Sequence, residues 1–466
     1  MTFLLRRDKI KQKTNAAGIT ERIFIMYSKE LIVKERMEQL ALERARFRAE
    51  QLSGATRILG ADATDALTDI YSIFSESIYL WEAGLWDPVI GGFYYSESAR
   101  DVEGFLPDIE STIQAWRAFD TAGLTAALDD PKAKATYDSM RIKMRDFALE
   151  MQDEDGFFYH KQWGKNIGVS RRGRDLGWAR EAISGGGGVP RYPTPSDKKK
   201  DGESPSALLP EHLRSIKAFA EYLDEKDMKN NSYSVGNLLQ AQAQQIKAAG
   251  EEFVDYLCDW YTRLQNPENG TWQDKVTYGA TNGQMKVALA FSAYGREFPN
   301  AEIAAESAIE SVLMKDFNAS ITSYYNPWIT LSMIIANLKQ FGNAEAAESV
   351  RRKLIKKAPD MLRMTKKKLE LFKKPDGGSS YNQRKGQATS QGAHVAVVGA
   401  YESDVNGNGL ASTGAMRNVC GALGIEPIRF FTRNDGILFY ELLENSYQAP
   451  KITEEEYRRT HVIIKD

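Results

Sequence analysis

Along this chain apolar residues recur at helical spacing far more often than they alternate. Asp65 to Trp81 carries Leu67, Ile70, Tyr71, Phe74, Ile78 and Trp81 at intervals of three and four, which predicts one amphipathic helix. Residues 29–50 (KELIVKERMEQLALERARFRAE) are charged, amphipathic and made of strong helix formers. The same reading predicts helices at about 108–123, 131–151, 208–225, 235–264, 281–296, 300–315, 327–341, 343–372 and 409–423. Strand-like runs are few and short: 92–96, 157–160, 428–432 and 437–441. Strand and helix do not alternate, so a doubly wound sheet and an α/β barrel are both poor readings. The expected class is all-α.

The loops say more than the helices. WDPVIGGFYYS (86–96), MQDEDGFFYHKQWG (151–164), LQNPENGTWQDK (264–275) and LFKKPDGGSSYN (371–382) share one pattern. Each follows an apolar or amphipathic helix and places Asp, Asn or Pro, then one or two Gly, then aromatics. Asp, Asn, Pro and Gly make a tight turn, and the aromatics after it can line a surface. Polar stretches suited to capping a first helical turn follow three of them: 108–112 (DIEST), Thr281-Asn282 and Thr389-Ser390-Gln391. Gly91, Gly156, Gly270 and Gly377 stand 65, 114 and 107 residues apart. That spacing fits units of about 50 to 60 residues with two helices each, which stack openly or close into a ring.

Composition narrows the function class. With 61 Lys+Arg against 63 Asp+Glu the net charge is −2, which disfavours a general nucleic-acid binder. Of the 466 residues 42% are hydrophobic and 27% charged, as in an ordinary globule. Two cysteines, Cys258 and Cys420, make no disulfide framework and no zinc motif. Neither metal nor cofactor is expected. The first residues, MTFLLRRDKIKQKTN, hold only three consecutive apolar side chains, and no run approaches a membrane span of about 20. A cytoplasmic protein with no membrane partner is expected.

A helix, then an Asp/Asn-Gly-aromatic turn, then a polar-capped helix resembles the (α/α) toroids. These are the six-hairpin glycosidases, the (α/α) polysaccharide lyases and the terpenoid cyclase/protein prenyltransferase group. LQNPENGTW (264–272) is similar to the QW-type turn of the cyclases. By architecture the resemblance covers roughly residues 60–425. It implies a toroid of helical hairpins at 59–425 with short β-turn or hairpin insertions and an irregular loop at 184–207. A charged helical extension (1–58) and a C-terminal segment packed on the toroid (426–466) would flank it. It also implies that the N-terminal ends of the inner helices surround the site.

Several constellations fall where such a site would lie. Asp108-Ile-Glu110-Ser-Thr112 resembles the cyclase acid motif but departs from it at Glu110 and Ser111, and it also reads as a helix cap. Phe157 to Trp178 gathers Tyr159, His160, Lys161, Trp163, Arg171, Arg172, Arg174 and Trp178. Arginine forks bind carboxylates and flat aromatics suit a sugar face. Tyr159 or His160 would then be the base of a β-elimination, with Arg174 on the carboxylate. A solvated turn is the plain alternative for this RRGR run. Asp108, Glu110 and Asp404 would serve a hydrolase, which needs two carboxylates about 5 to 9 Å apart. Gly185 to Gly188 and the following PRYPTP read as a lid or flexible loop, with Tyr192 as a contact. Tyr94, Trp272, Tyr325, Tyr381 and His394 complete the expected substrate-binding set. DVNGNG (404–409) has the one-three-five spacing of a calcium loop but lacks its closing glutamate, so a turn and helix cap is the alternative. The expected activity is cleavage of an acidic, uronate-containing oligosaccharide, elimination being slightly favoured over hydrolysis. A cyclase-like enzyme and a non-catalytic helical scaffold are the alternatives.

Overall fold

A computed structural model describes residues 35, 36, 38–75, 77–195, 197, 209–411, 413–446 and 448–465. The expected helix 29–50 falls partly outside them, as does most of the charged stretch 196–206. The described chain is mostly helical, 63% helix against 4% strand. In order come α1 (Ala41–Leu59), α2 (Ala61–Tyr71), α3 (Ser77–Ala83), α4 (Glu97–Asp101), α5 (Ile109–Ala122), α6 (Pro131–Glu150) and α7 (Val169–Gly185). There follow α8 (Ile216–Asp224), α9 (Met228–Ala241), α10 (Ala243–Ala249), α11 (Glu251–Leu264), α12 (Tyr278–Tyr294) and α13 (Ala301–Leu313). The last are α14 (Thr322–Gln340), α15 (Ala344–Leu369), α16 (Val405–Ala411), α17 (Thr413–Leu423), α18 (Arg433–Glu444) and α19 (Glu454–Thr460). Two antiparallel ribbons interrupt them, β1 (Trp86–Asp87) with β2 (Gly92–Phe93) and β3 (Thr389–Ser390) with β4 (Ala393–His394).

Six helices form a chain of contacts that returns to its start. α5 packs on α7, α7 on α9, α9 on α12, α12 on α14, α14 on α17, and α17 on α5. The remaining long helices cover them: α6 packs on α7, α11 on α12, α13 on α14 and α15 on α14 and α17. α2 covers α15, and α18 joins α6 to α3. Trp328, Tyr261, Phe119, Phe158 and Phe219 are among the largest buried side chains of the core.

Several expected elements differ. The helix over 65–81 is two helices, α2 and α3. Arg48 of α1 caps the break, donating through Nη1 to the carbonyls of Tyr71 (3.4 Å) and Phe74 (3.3 Å). The expected helix 235–264 is three, divided at Gln242 and at Gly250, whose φ of 136° suits only glycine. Residues 437–441 are helical, not extended, because Thr432 and Asp435 form a reciprocal capping box that starts α18. Residues 428–432 form no strand with the described chain, and 157–160 contributes only one bridge, Phe158 to Gln152. Thr389-Ser390-Gln391 opens a hairpin, not a helix, since Gln391 (φ 51°) and Gly392 (φ 86°) make its turn. Helix α7 replaces the expected turn around Arg171.

Candidate functional site

The site is built on the N-terminal halves of α5, α7, α9 and α14 and on the middle of α12. Asp108 caps α5: its carboxylate accepts from Ser111 N (3.1 Å) and Ser111 Oγ (2.5 Å). Glu110 follows in that first turn and is 1% exposed. On α7 the residues Arg171, Arg174, Asp175 and Trp178 share one face by their spacing. Arg171, fully buried, donates through Nη2 to Asp108 Oδ1 (2.7 Å) and through Nε to Asp175 Oδ1 (2.9 Å), with Nη1 3.4 Å from Glu110. Arg174 grips the Glu110 carboxylate with Nε (3.2 Å) and Nη2, leaving Nη1 without an acceptor among the described residues.

Two arginines thus face three carboxylates, and a lysine stands beside them. Lys286 of α12 is 9% exposed, lies 5.7 Å from the Tyr233 ring of α9 and hydrogen-bonds to no described residue. Its helix is three steps from α5 in the order of contacts, yet Glu110 and Arg174 both act on its charge. Burial, with Arg174 beside it, pushes the amine down to about 7 against the pull of Glu110. Burial alone would raise the Glu110 carboxyl, but Arg174 and Arg171 outweigh it and hold the group below its ordinary value.

On the other side of Lys286 stands Tyr233, on whose charge Tyr381 acts, and burial raises Tyr233 well above its ordinary range. Asp404 anchors the Tyr381 loop by accepting from the backbone N–H groups of Tyr381 (2.8 Å), Gln387 (3.0 Å) and Gly407 (2.6 Å). Tyr95 Oη donates to it at 3.3 Å and to Gln387 at 2.5 Å. Burial pushes the Asp404 carboxyl up to about 6, against those donors. Asn326 of α14 donates to Asn282 of α12 at 2.9 Å, one turn before Lys286. Over this face the turn of the β3–β4 ribbon is fixed by Gln391, whose Oε1 accepts from Ser170 Oγ (2.8 Å) of α7 and Asn237 Nδ2 (2.9 Å) of α9.

The structure brings Asp108, Glu110, Arg171, Arg174, Tyr381 and Asp404 into this neighbourhood. His160 touches it only as a support. Its Nε2 donates to the Pro107 carbonyl (2.7 Å), Gln162 N donates to its Nδ1 (3.2 Å), and its ring stacks on Trp163 at 3.9 Å. Both nitrogens are occupied, so a free base is not available there. Tyr159 donates to Asp155 (2.7 Å), and burial with that carboxylate pushes it up to about 12. Trp163 lies under the Arg171 guanidinium (4.9 Å), Arg172 covers Phe157 (4.9 Å), and Trp178 is covered by Arg117 (4.4 Å). Tyr94 is a buried donor to Asp87 (2.9 Å), and Trp272 is a core residue donating to the Tyr261 carbonyl (2.9 Å). Tyr192 is exposed beside Gln152, whose Nε2 donates to its carbonyl, and exposed His394 sets its ring edge-on to Phe105. Tyr325 lies against α17 at Gly414.

Lys286 and Tyr233 escaped the sequence reading. The signal for Lys286 is one cation inside the apolar run of 283–294 (GQMKVALAFSAY); Tyr233 gives none. Comparison of the chain with protein families, curated proteins and solved structures finds no match. Among the described residues no helix is long and apolar enough to cross a membrane.

Proposed function

We propose that the chain is an (α/α) toroid that cleaves an acidic, uronate-containing oligosaccharide by β-elimination at the cluster of Glu110, Arg174, Tyr233, Lys286 and Tyr381. The observation that carries this reading is the Lys286 amine, held near neutral basicity without an acceptor among the described residues and set beside Tyr233 and Arg174. The returning order of contacts through α5, α7, α9, α12, α14 and α17, with a covering set outside it, supports the toroid.

The chemistry follows from these groups. Arg174 offers Nη1 to the substrate carboxylate and lowers the acidity barrier at the adjacent C5–H. The neutral Lys286 amine takes that proton, since a base works best with a pKa near the working pH. The electron pair forms the C4=C5 double bond, the C4–O bond breaks, and Tyr233, kept protonated by its burial, supplies the proton of the departing oxygen. The N-termini of α5 and α7, which carry Glu110 and Arg171 in their first turns, favour the anionic substrate and the charge that develops on its carboxylate. In a cytoplasmic setting the substrate would be an oligosaccharide.

Hydrolysis is the second reading. Asp404, pushed up by burial, and Glu110, held down by its arginines, both act on Tyr95, and one acid with one ionised carboxylate is what hydrolysis requires. The charged lining disfavours a terpenoid cyclase. A digest of uronate-containing and neutral oligosaccharides separates the readings. New reducing ends with the ultraviolet absorbance of an unsaturated uronate support elimination. Reducing ends without it support hydrolysis, and neither product from any sugar leaves the helical scaffold.

A further inference from the structure

The tip of the β3–β4 ribbon is seated between α7 and α9, beside the proposed site. Gln391 Oε1 accepts from Ser170 Oγ (2.8 Å) and from Asn237 Nδ2 (2.9 Å), and the same Nδ2 donates to Ser170 Oγ at 3.3 Å. Ser170 lies one turn before Arg174 on α7. Asn237 lies one turn after Tyr233 on α9. It directly follows Gly236, where a β-carbon would come within 2.9 Å of the Lys286 β-carbon. The two helices approach closely here, since a β-carbon at Gly173 would meet the Ala241 carbonyl oxygen at 2.4 Å. The Gln391 amide therefore sits among the residues that flank Arg174, Tyr233 and Lys286.

Two features mark this contact as one made to open. The first is the backbone of the tip. Gln391 (φ 51°) holds a left-handed conformation that its β-carbon disfavours, so the side chain and not the backbone keeps it in place. Each strand of the ribbon is two residues long, while its base is fixed. Ala393, Val395, Ala396 and Val397 are buried, and Gln162 Nε2 donates to the His394 carbonyl at 2.7 Å. The tip can swing about that base. The second feature is Asn237, which is 8% exposed and whose Oδ1 has no partner among the described residues. A buried amide with its donor engaged and its acceptor empty is only half satisfied. Two adjacent ring hydroxyls of a sugar fit what Gln391 leaves open. One oxygen takes the Ser170 and Asn237 donors in place of Gln391 Oε1, and the neighbouring hydroxyl donates to Asn237 Oδ1.

We propose that the β3–β4 ribbon is a lid latched by Gln391, and that Ser170 and Asn237 beneath it hold two adjacent hydroxyls of the bound sugar. This rests on the reading of the site as one for saccharides and adds its gate and its hydroxyl contacts. In the closed state Gln391 competes with the sugar, and the apparent affinity falls with the open fraction.

Amide exchange across 389–394 and calorimetric titration of trigalacturonate, both on the full chain, test the latch and the sugar contact separately. Without sugar, Gln391→Ala and Asn237→Ala should each raise exchange across 389–394 about fivefold, since each removes a latch hydrogen bond. Protection in the remaining helices shows that a variant is folded. Gln391→Gly, which also lifts the backbone strain, gives the same comparison in a second variant. Trigalacturonate should raise the exchange of the ribbon in the wild type, because the sugar displaces the tip. Gln391→Ala should bind it about threefold to tenfold more tightly than the wild type, and Asn237→Ala about tenfold more weakly than Gln391→Ala. Unchanged exchange in the folded Gln391 variants, protection of the ribbon by the sugar, or equal affinities of Gln391→Ala and Asn237→Ala would each overturn the proposal. Raised exchange in the variants with no sugar bound by any protein would keep the latch and remove both the hydroxyl contacts and the saccharide reading. Unsaturated product from a wild type whose ribbon ignores the sugar would keep elimination and remove the lid.

Discussion

Lys286 carries the largest consequence of any single residue. A lysine among apolar neighbours loses its solvation, and here Arg174 adds repulsion, so half the amines are neutral near pH 7. Activity that needs the neutral form should rise with pH through about 7, seen as an acidic limb in kcat/KM. The sign for stability is the same: the folded value lies below the unfolded one, so stability is full above about 10.4 and declines as pH falls through 7. Glu82 behaves oppositely. It is 3% exposed, faces a small cavity with Ile78, Tyr79, Ala118, Phe430 and Phe431, and its Oε1 has no partner among the described residues. Burial raises its carboxyl well above the ordinary value, so its contribution is intact below about 4.3 and lost as pH rises through the folded value. Glu82→Gln should therefore stabilise the chain by about 1 to 3 kcal/mol at pH 9 and change little at pH 4. Melting curves across that range check it.

At the scale of elements, the site depends on the close approach of α9 and α12. A β-carbon at Gly283 would lie 2.1 Å from Ser232 Oγ, and one at Gly236 would lie 2.9 Å from the Lys286 β-carbon. Gly283→Ala should cost about 1 to 3 kcal/mol in denaturant unfolding, by overpacking the contact that sets Tyr233 beside Lys286. The β3–β4 turn is balanced differently. Gln391 holds an unfavourable left-handed conformation, and its side chain recovers that cost by joining α7 to α9. Gln391→Gly should leave the melting temperature nearly unchanged while amide exchange across 389–394 rises, because backbone relief and lost hydrogen bonds nearly offset.

These elements also explain what could be read in advance. Helices α5, α6, α12, α13 and α15 lie within a few residues of their expected spans, since caps such as Asp108 and Asp130 and regular apolar spacing mark them locally. Helix α7 was hidden by Gly173, Gly177 and four arginines, which resemble a solvated turn until Asp108, Glu110 and Asp175 fold against them. Arg174 and Glu110 were legible as chemistry because charged residues beside turn signals are conspicuous. Lys286 and Tyr233 were not, as their meaning comes from a neighbour more than fifty residues away. His160 and Tyr159 were conspicuous for the same local reason, yet their partners are a carbonyl, a backbone N–H and Asp155.

Across the whole molecule, the first long helix is tied to a late one. Arg44 of α1 forms a buried pair with Asp435 of α18, and Asp435 also accepts from Tyr79 (3.1 Å) and from Thr432 N and Oγ1 (2.9 Å each). Arg44→Ala leaves that carboxylate buried without its cation and should cost about 3 to 5 kcal/mol, lowering the melting temperature of the entire chain and not of one end alone. Such coupling fits six helices whose contacts return to their start, since opening one gap frees both of its flanks. At the middle of α12 stands the amine on which the account depends. Trigalacturonate incubated at pH 7 with wild type and with Lys286→Met, followed by the absorbance of an unsaturated uronate, tests it most directly. Product from the wild type, formed at least about a hundredfold more slowly by a Lys286→Met protein of undiminished melting temperature, is the predicted result. No product from the wild type, or equal rates from both proteins, would contradict it.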